Sequence, residues 1–374
     1  MPGENHIVVI GGSFGGIGVA QNVLASIPNV KITLINTSKD WYFNIAAARI
    51  LSKPNSTPLD KIIFPIKDNF FSKYSATQFE FIHATATSLD TKAKTVTLST
   101  SQSITYDYLV IATGSHTAAV VSGIPFKQPI TDTLHDSIQS AQTRIANAST
   151  IVIGGSGAAA IEMAGELAEG YPNKKVTVIS GSARLLPVLG EKASAVALKR
   201  LHKLGVKVLL GVRVLENNQS GKKGPIELDT GKVIEADLYI PAVGVIPNNS
   251  FIPPALLDAA GYLITSPEQT VSSPAVSGVY GIGDITNNPS KMASTITQQI
   301  AVTVANLKND IEKTGTRKAF KPEKTTLVIP IGSKGGVAEM GDFGGIVLWS
   351  WLVSLIKGNF FISLAFTISG LKKQ

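Results

Sequence analysis

The 374-residue chain contains no cysteine. That excludes disulfides, thiolate metal sites and the redox-active dithiol through which disulfide reductases pass electrons, and it leaves the compartment open. Histidine is scarce: five residues, scattered without the spacing of a metal site, read as solvated or core side chains. Charged residues are 16% of the chain against 44% hydrophobic, a balance that excludes a disordered polymer. The formal net charge of +8 comes with no basic block and no RNA-binding signature, so anionic nucleotides or anionic lipid are expected before nucleic acid. Neither a signal peptide nor an arginine-rich presequence is expected, because an apolar strand pattern begins within a few residues of Met1. Position 2 is proline, so the N-myristoylation motif is absent too.

What the chain does have is glycine at decisive places. Ile7 to Ile10 reads as a buried strand, and Gly11-Gly12-Ser13-Phe14-Gly15-Gly16 follows as a tight turn into helix-compatible spacing up to Ser26. Strand, glycine turn and helix together make the phosphate-binding start of a dinucleotide fold. Gly11 makes the turn, Ser13 and Gly15 keep side chains small near a pyrophosphate, and Gly16 lets helix and strand pack closely; the helix N-terminus offers free N–H groups. Ser13 stands where the fingerprint G-x-G-x-x-G has its second glycine. The pattern recurs at Gly155-x-Gly157-x-x-Ala160, again between a strand and a helix, with Glu162 and Glu166 one turn apart on that helix. Two such turns in one chain predict two nucleotide sites, the plan of flavoprotein reductases, with one site for FAD and one for NAD(P)H.

The residues that usually read ribose are altered in both halves. After the strand Val30–Ile35 the usual acidic position holds Asn36, whose amide can still bond a ribose hydroxyl. After the second-half strand the chain reads Ser180-Gly181-Ser182, again without a carboxylate, and Arg184 is the expected partner of a 2′-phosphate, so NADPH is expected to serve as well as NADH. Arg49, a lone cation among small apolar residues, is either a surface ion-pair member or a contact to FAD phosphates. Phe79–Thr85 and Ala93–Leu98 are predicted to form a hairpin around Asp90-Thr91-Lys92. Tyr106–Ala112 then reads as a buried strand ending in the corner Ala112-Thr113-Gly114, which Asp237–Gly244 mirrors, ending at Gly244. A further strand delivers Gly283 and Asp284, the carboxylate placed to accept from a ribitol hydroxyl of FAD. The helix predicted over 289–306 starts at Lys291 and Met292, its positive end toward the flavin ring.

Together these motifs resemble the FAD-dependent pyridine-nucleotide oxidoreductases. More narrowly, Phe43–Arg49, Lys67-Asp68-Asn69-Phe70, Lys291-Met292-Ala293 and the Gly332–Gly336 loop are similar to the apoptosis-inducing-factor-like, AMID-type branch that includes the ferroptosis suppressor quinone reductases. The resemblance covers essentially the whole chain. It implies FAD held by the 11–16 turn, Arg49, the backbone near Ala86 and Asp284, and NAD(P)H held by the 155–160 turn and Glu162. It also implies two-electron reduction of a quinone at a membrane surface. The expected fold class is α/β: two Rossmann-like units, FAD over 1–117 and 247–306 with NAD(P)H over 118–246 inserted, then a C-terminal α+β region over 307–374 with an apolar tail.

In that tail Val347, Leu348, Trp351, Leu352, Leu355 and Ile356 share one face of a helix, with Trp349 and Val353 off it; Lys357 interrupts the apolar stretch, and each of its two runs is too short to span a bilayer. The Val347–Ile356 stripe packs on the flavin domain, forms a homodimer contact, or meets lipid as a peripheral anchor. Membrane contact is the expectation adopted here, since the implied acceptor is lipid-soluble, with a cytoplasmic location at a lipid droplet or the mitochondrial outer surface. Two other functions share these motifs: reduction of a protein electron carrier, and nucleotide sensing by a signalling flavoprotein.

Overall fold

The computed structural model describes residues 5–120, 122–127, 134–215, 224–272, 274–289, 291–322, 326–340, 346–347, 353, 366 and 371–372. The apolar run of the first turn forms the strand Asn5–Ile10, in parallel pairing with Val30–Asn36 on one side and Tyr108–Ile111 on the other. Its Ile7, Val8 and Val9 are completely buried, as a parallel strand covered on both faces requires. The sheet has six strands in the order Thr270–Ser272, Ala275–Gly281, Tyr108–Ile111, Asn5–Ile10, Val30–Asn36 and Phe79–His83. The helix Phe14–Ser26 packs against the helix Ala293–Glu312, with the Ile300 side chain lying on Gly18 where no side chain intervenes.

A second, four-stranded parallel sheet repeats the central order: Lys207–Leu210, Lys175–Ser180, Thr150–Gly154, Leu238–Pro241. The repeat holds at the level of single hydrogen bonds. Gly11 donates its N–H to the carbonyl of Ile35 at 2.8 Å, and Gly155 donates to that of Ile179 at 2.8 Å. Asn36 and Ser180 are therefore equivalent positions in the two halves. Two short antiparallel strands, Ser115–His116 and Ile246–Pro247, carry the chain between the sheets. This is the expected α/β architecture of paired Rossmann-like units.

Two sequence expectations change. Phe79–His83 is not half of a hairpin; it is the parallel edge strand beside Val30–Asn36. The hairpin is Ala86–Asp90 with Thr95–Leu98, extended by Ser103–Thr105. Phe71 stacks on Phe79 at 3.9 Å between ring centroids and seats that strand on the sheet, and the chain leaves it at Ala84. Val347 lies in a strand, not a helix: Ile346–Val347 pairs with Gly336–Met340, which in turn pairs with Thr326–Pro330. Val353 is fully buried and packs against Gly336. Leu348, Trp351, Leu352, Leu355 and Ile356 lie outside the described residues.

Further along, Phe366 stacks on Trp41 at 5.8 Å and meets Phe64 at 4.9 Å. The buried Gln21 amide holds the backbone of Lys372 through both its polar atoms, at 2.6 and 3.0 Å. Those tail residues thus pack on the first half of the molecule. Among the described residues no helix is long and apolar enough to cross a membrane.

Candidate flavin and nucleotide sites

Gly11 adopts φ +112, and a Cβ there would run into the carbonyl of Ala112, so the first glycine turn and the Ala-Thr-Gly corner are fitted to each other. A Cβ on Gly16 would overlap the carbonyl of Gly11 more closely still. Gly12 donates its N–H to Oδ1 of Asn36 at 2.8 Å, and Nδ2 of Asn36 donates to the Ser38 carbonyl at 2.8 Å. Asn36 thereby braces the turn, and it also lines the cavity described next. Ser13 caps the Phe14–Ser26 helix with its backbone extended and no side-chain capping bond, so its hydroxyl covers none of the first-turn N–H groups.

The turn opens on a cavity of about 320 Å³ that runs past Asn36, Tyr42, the 112–115 corner and Lys127 to Asp284, Lys291 and Met292. Tyr42 lines it with a fully buried hydroxyl that has no hydrogen-bond partner among the described residues, and burial pushes its pKa up. At the far end Ser115 donates to Oδ2 of Asp284 at 2.9 Å, and Lys127 forms an ion pair with the same oxygen. Gly283 is fixed by its N–H bond to the buried Gln299 side chain at 2.7 Å. The Lys291 ammonium bonds the carbonyls of Asp284 and Thr286 and lies 4.0 Å from the Tyr262 ring centroid. Burial lowers its pKa, against the pull of Asp284 and Asp258.

Burial also works against ionisation of Asp284, but Lys127, the Ser115 hydroxyl and Lys291 outweigh it and hold the carboxyl below its ordinary range. A carboxyl depressed in the folded state stabilises the fold above its unfolded pKa of about 3.9, and that stabilisation drains away as pH falls through the folded value. Lys127→Met is therefore expected to lower the melting temperature at pH 7, the gap to the parent chain closing as pH drops below about 4. Melting curves across that range check this; a gap that does not change with pH would show that Lys127 acts by packing alone.

The second turn repeats the first. Gly155 has φ +125, and its Cβ would meet the carbonyl of Ala242 as that of Gly11 meets Ala112. Ala160, fully buried, takes the third position, and Gly157 caps the helix Ala158–Gly170 with open space around it. Gly244 follows the mirrored strand at φ +66 and is exposed.

The expected residues therefore divide. Gly11, Gly12, Ser13, Phe14, Gly15, Asn36, Ala112, Thr113, Gly114, Asp284, Lys291 and Met292 converge on one cavity, with Gly16 directly behind the turn. Ala86 is buried in the three-stranded sheet instead. Arg49 lines no part of that cavity; its guanidinium pairs with the buried Glu166 at 3.0 Å. Glu162 is half-buried on the second-turn helix. Ser180 ends its strand nearly buried, and Arg184 bonds the carbonyls of Pro187 and Leu189 with its guanidinium. Sequence reasoning missed Lys127, a single cation in the connector before the second unit, and Gln299, a polar residue on the buried face of a helix; only the helix spacing hinted at the latter.

The family model for pyridine nucleotide-disulphide oxidoreductase matches residues 5–305. Oxidoreductase ptaL of Pestalotiopsis fici is 33% identical over 98% of this chain and 99% of its own length. Ferroptosis suppressor protein 1 of Mus musculus is 28% identical over 91% of this chain and 90% of its own. Among solved structures, a sulfide:quinone oxidoreductase from Aquifex aeolicus superposes with a TM-score of 0.78 at 21% identity, covering 98% of this chain and 92% of that one.

Proposed function

The chain belongs to the pyridine nucleotide-disulphide oxidoreductase family, and from that premise we propose that it is a quinone reductase, with FAD at the first glycine turn and NAD(P)H at the second. That it is an NAD(P)H-dependent FAD oxidoreductase follows from the family. The observation that carries the FAD assignment is the cavity itself: a glycine cradle that side chains would fill, a buried Tyr42 hydroxyl without a partner, and a carboxylate at the far end. These residues fit the group. The 11–16 backbone and the helix N-terminus would take the pyrophosphate, and Asp284 a ribitol hydroxyl. Lys127 and Lys291 bring two ammonium groups to the cavity wall, which lets it take an anionic ligand beside Asp284. The bound FAD supplies a two-electron carrier between the nicotinamide and an organic acceptor.

The quinone acceptor rests on three supports. With no cysteine, this member has no dithiol to receive the electrons, so a direct acceptor is favoured. Its motifs resemble the ferroptosis suppressor quinone reductases, and a structural neighbour is a sulfide:quinone oxidoreductase. The same reading divides the chain into a FAD unit over 1–117 and 247–306, a nucleotide unit over 118–246 and a C-terminal region over 307–374. The crossing strands at 115–116 and 246–247 support that division. Peripheral contact with a membrane from the cytoplasmic side, through Val347–Ile356, is how a lipid-soluble acceptor would reach the site; Val353 takes no part, being buried against Gly336. A homodimer is the other use of that stripe.

The purified protein is expected to show flavin bands and to oxidise NADH or NADPH with a short-chain quinone at least about tenfold faster than with oxygen alone. Equal rates with and without the quinone would remove it as the acceptor class. A colourless, active protein would remove the flavin assignment.

A further inference from the structure

The adenine-side ribose of a nicotinamide nucleotide is read at the end of the strand that follows the glycine-turn helix. In the second half that strand ends at Ser180, the equivalent of Asn36, and no carboxylate occurs from 180 to 184. A carboxylate here would bond both ribose hydroxyls and repel a 2′-phosphate. The arginine that sequence spacing points to, Arg184, is committed elsewhere, since its guanidinium binds the Pro187 and Leu189 carbonyls.

A different arginine occupies the strand end. Arg213 comes from the segment after Lys207–Leu210, and its side chain lies directly across Gly181. A Cβ on Gly181 would fall 2.7 Å from its Nε and 3.1 Å from its Cδ. The root of this side chain is fixed from two directions. Gly211 and Val212 donate their N–H groups to the carbonyls of Ser182 and Ser180 at 3.0 and 3.1 Å. The Arg213 N–H donates to the Asp229 carboxylate at 3.1 Å, and the Asp229 N–H donates back to the Arg213 carbonyl at 2.9 Å. The guanidinium itself makes no hydrogen bond or ion pair among the described residues, and Arg213 is exposed. A fixed backbone thus presents a planar cation over a glycine, at the place where the ribose hydroxyls are read. Ser180 and Ser182 flank it; the Ser180 hydroxyl accepts the Ser182 N–H at 3.2 Å.

We propose that Arg213 is the residue by which this chain selects a nicotinamide nucleotide bearing a 2′-phosphate, NADPH, over NADH. The proposal rests on the reading of the second glycine turn as the NAD(P)H site. A guanidinium meets a phosphate through two parallel, charge-assisted hydrogen bonds, a geometry that neither a ribose hydroxyl nor a lysine reproduces.

Binding of two adenylate fragments to the flavin-loaded protein tests it by calorimetry. 2′,5′-ADP carries the extra phosphate and 5′-AMP lacks it. The parent chain is expected to bind 2′,5′-ADP about tenfold or more tightly than 5′-AMP, the scale of a charge-assisted pair. Arg213→Met is expected to bring the two affinities together, and Arg213→Glu to reverse their order, with flavin content and melting curve measured on the same preparations. No preference in the parent chain, or a preference that survives in both variants, overturns the role of Arg213. Failure of the parent chain to bind either fragment overturns instead the nucleotide site on which it rests.

Discussion

A chain carrying Gly157→Val is expected to purify with its flavin, to resist reduction by NADH and NADPH, and to be reduced normally by dithionite. Gly157 caps the helix Ala158–Gly170 with φ −76 and ψ 177, a backbone that valine adopts without strain. A Cβ there meets nothing within 4 Å, so the substitution adds a branched side chain to open space and asks little of the fold. Gly155 is the contrasting case: its φ of +125 and the Ala242 carbonyl against it mean that any side chain there damages the turn itself. Gly157→Val therefore tests the ligand and not the scaffold. On the proposed reading the valine methyl groups fill the place where the pyrophosphate would approach the backbone, and displacing a nucleotide by an ångström costs about a hundredfold in rate. Stopped-flow reduction at 450 nm with each nucleotide reads the effect. Normal NADH reduction would show that the 155–160 turn holds no nucleotide. Loss of flavin with an unchanged melting curve would move FAD to the second turn.

Both glycine turns were legible in the sequence because each is a local event: a strand, a residue with positive φ and a helix within some fifteen positions. The corners Ala112-Thr113-Gly114 and Ala242-Val243-Gly244 were legible for the same reason, and the structure brings each against its own turn. The pairing of charges was not. Lys127 meets Asp284 across 157 positions and Arg49 meets Glu166 across 117, separations at which spacing says nothing about approach. Arg184 illustrates the cost of reading by proximity along the chain. It stands four residues beyond Ser180, yet backbone carbonyls claim it, and Arg213 reaches Gly181 from the segment that follows the neighbouring strand. The hairpin error has the same origin, because Phe79–His83 is apolar enough for either partner and only the open edge of Val30–Asn36 decided between them.

Glu166→Ala is expected to lower the melting temperature by about 6 °C and to slow nucleotide-driven reduction of the flavin. Glu166 is 1% exposed. Its Oε1 accepts from Nε and Nη2 of Arg49 at 3.1 and 3.0 Å, and its Oε2 lies 2.7 Å from the Lys53 ammonium. Removing one member of a buried ion cluster leaves the opposite charges in a poorly solvated place, at a cost of about 3 kcal/mol or more, and each kcal/mol shifts melting by roughly 2 °C in a chain of this size. Lys53 keeps its second partner, Glu169, which sets the expectation at the lower end of that range. The cluster also spans the molecule. Arg49 and Lys53 belong to the Ala47–Ser52 helix and its C-cap, Glu166 and Glu169 to the helix of the second glycine turn. Glu169 continues to the Gly332–Gly336 loop, accepting from the Ser333 N–H at 2.8 Å and its hydroxyl at 2.9 Å. Three parts of the fold are joined through two carboxylates, so the cluster is placed to hold the proposed flavin and nucleotide sites at their spacing. Because the cluster is buried, its loss is expected to persist at about 0.5 M salt, where an exposed pair would be screened. Glu166→Gln retains an acceptor and separates lost charge from lost hydrogen bonding. A melting temperature within about 1 °C of the parent chain in Glu166→Ala would show that the second-turn helix is held by its apolar contacts and that this carboxylate carries none of the junction.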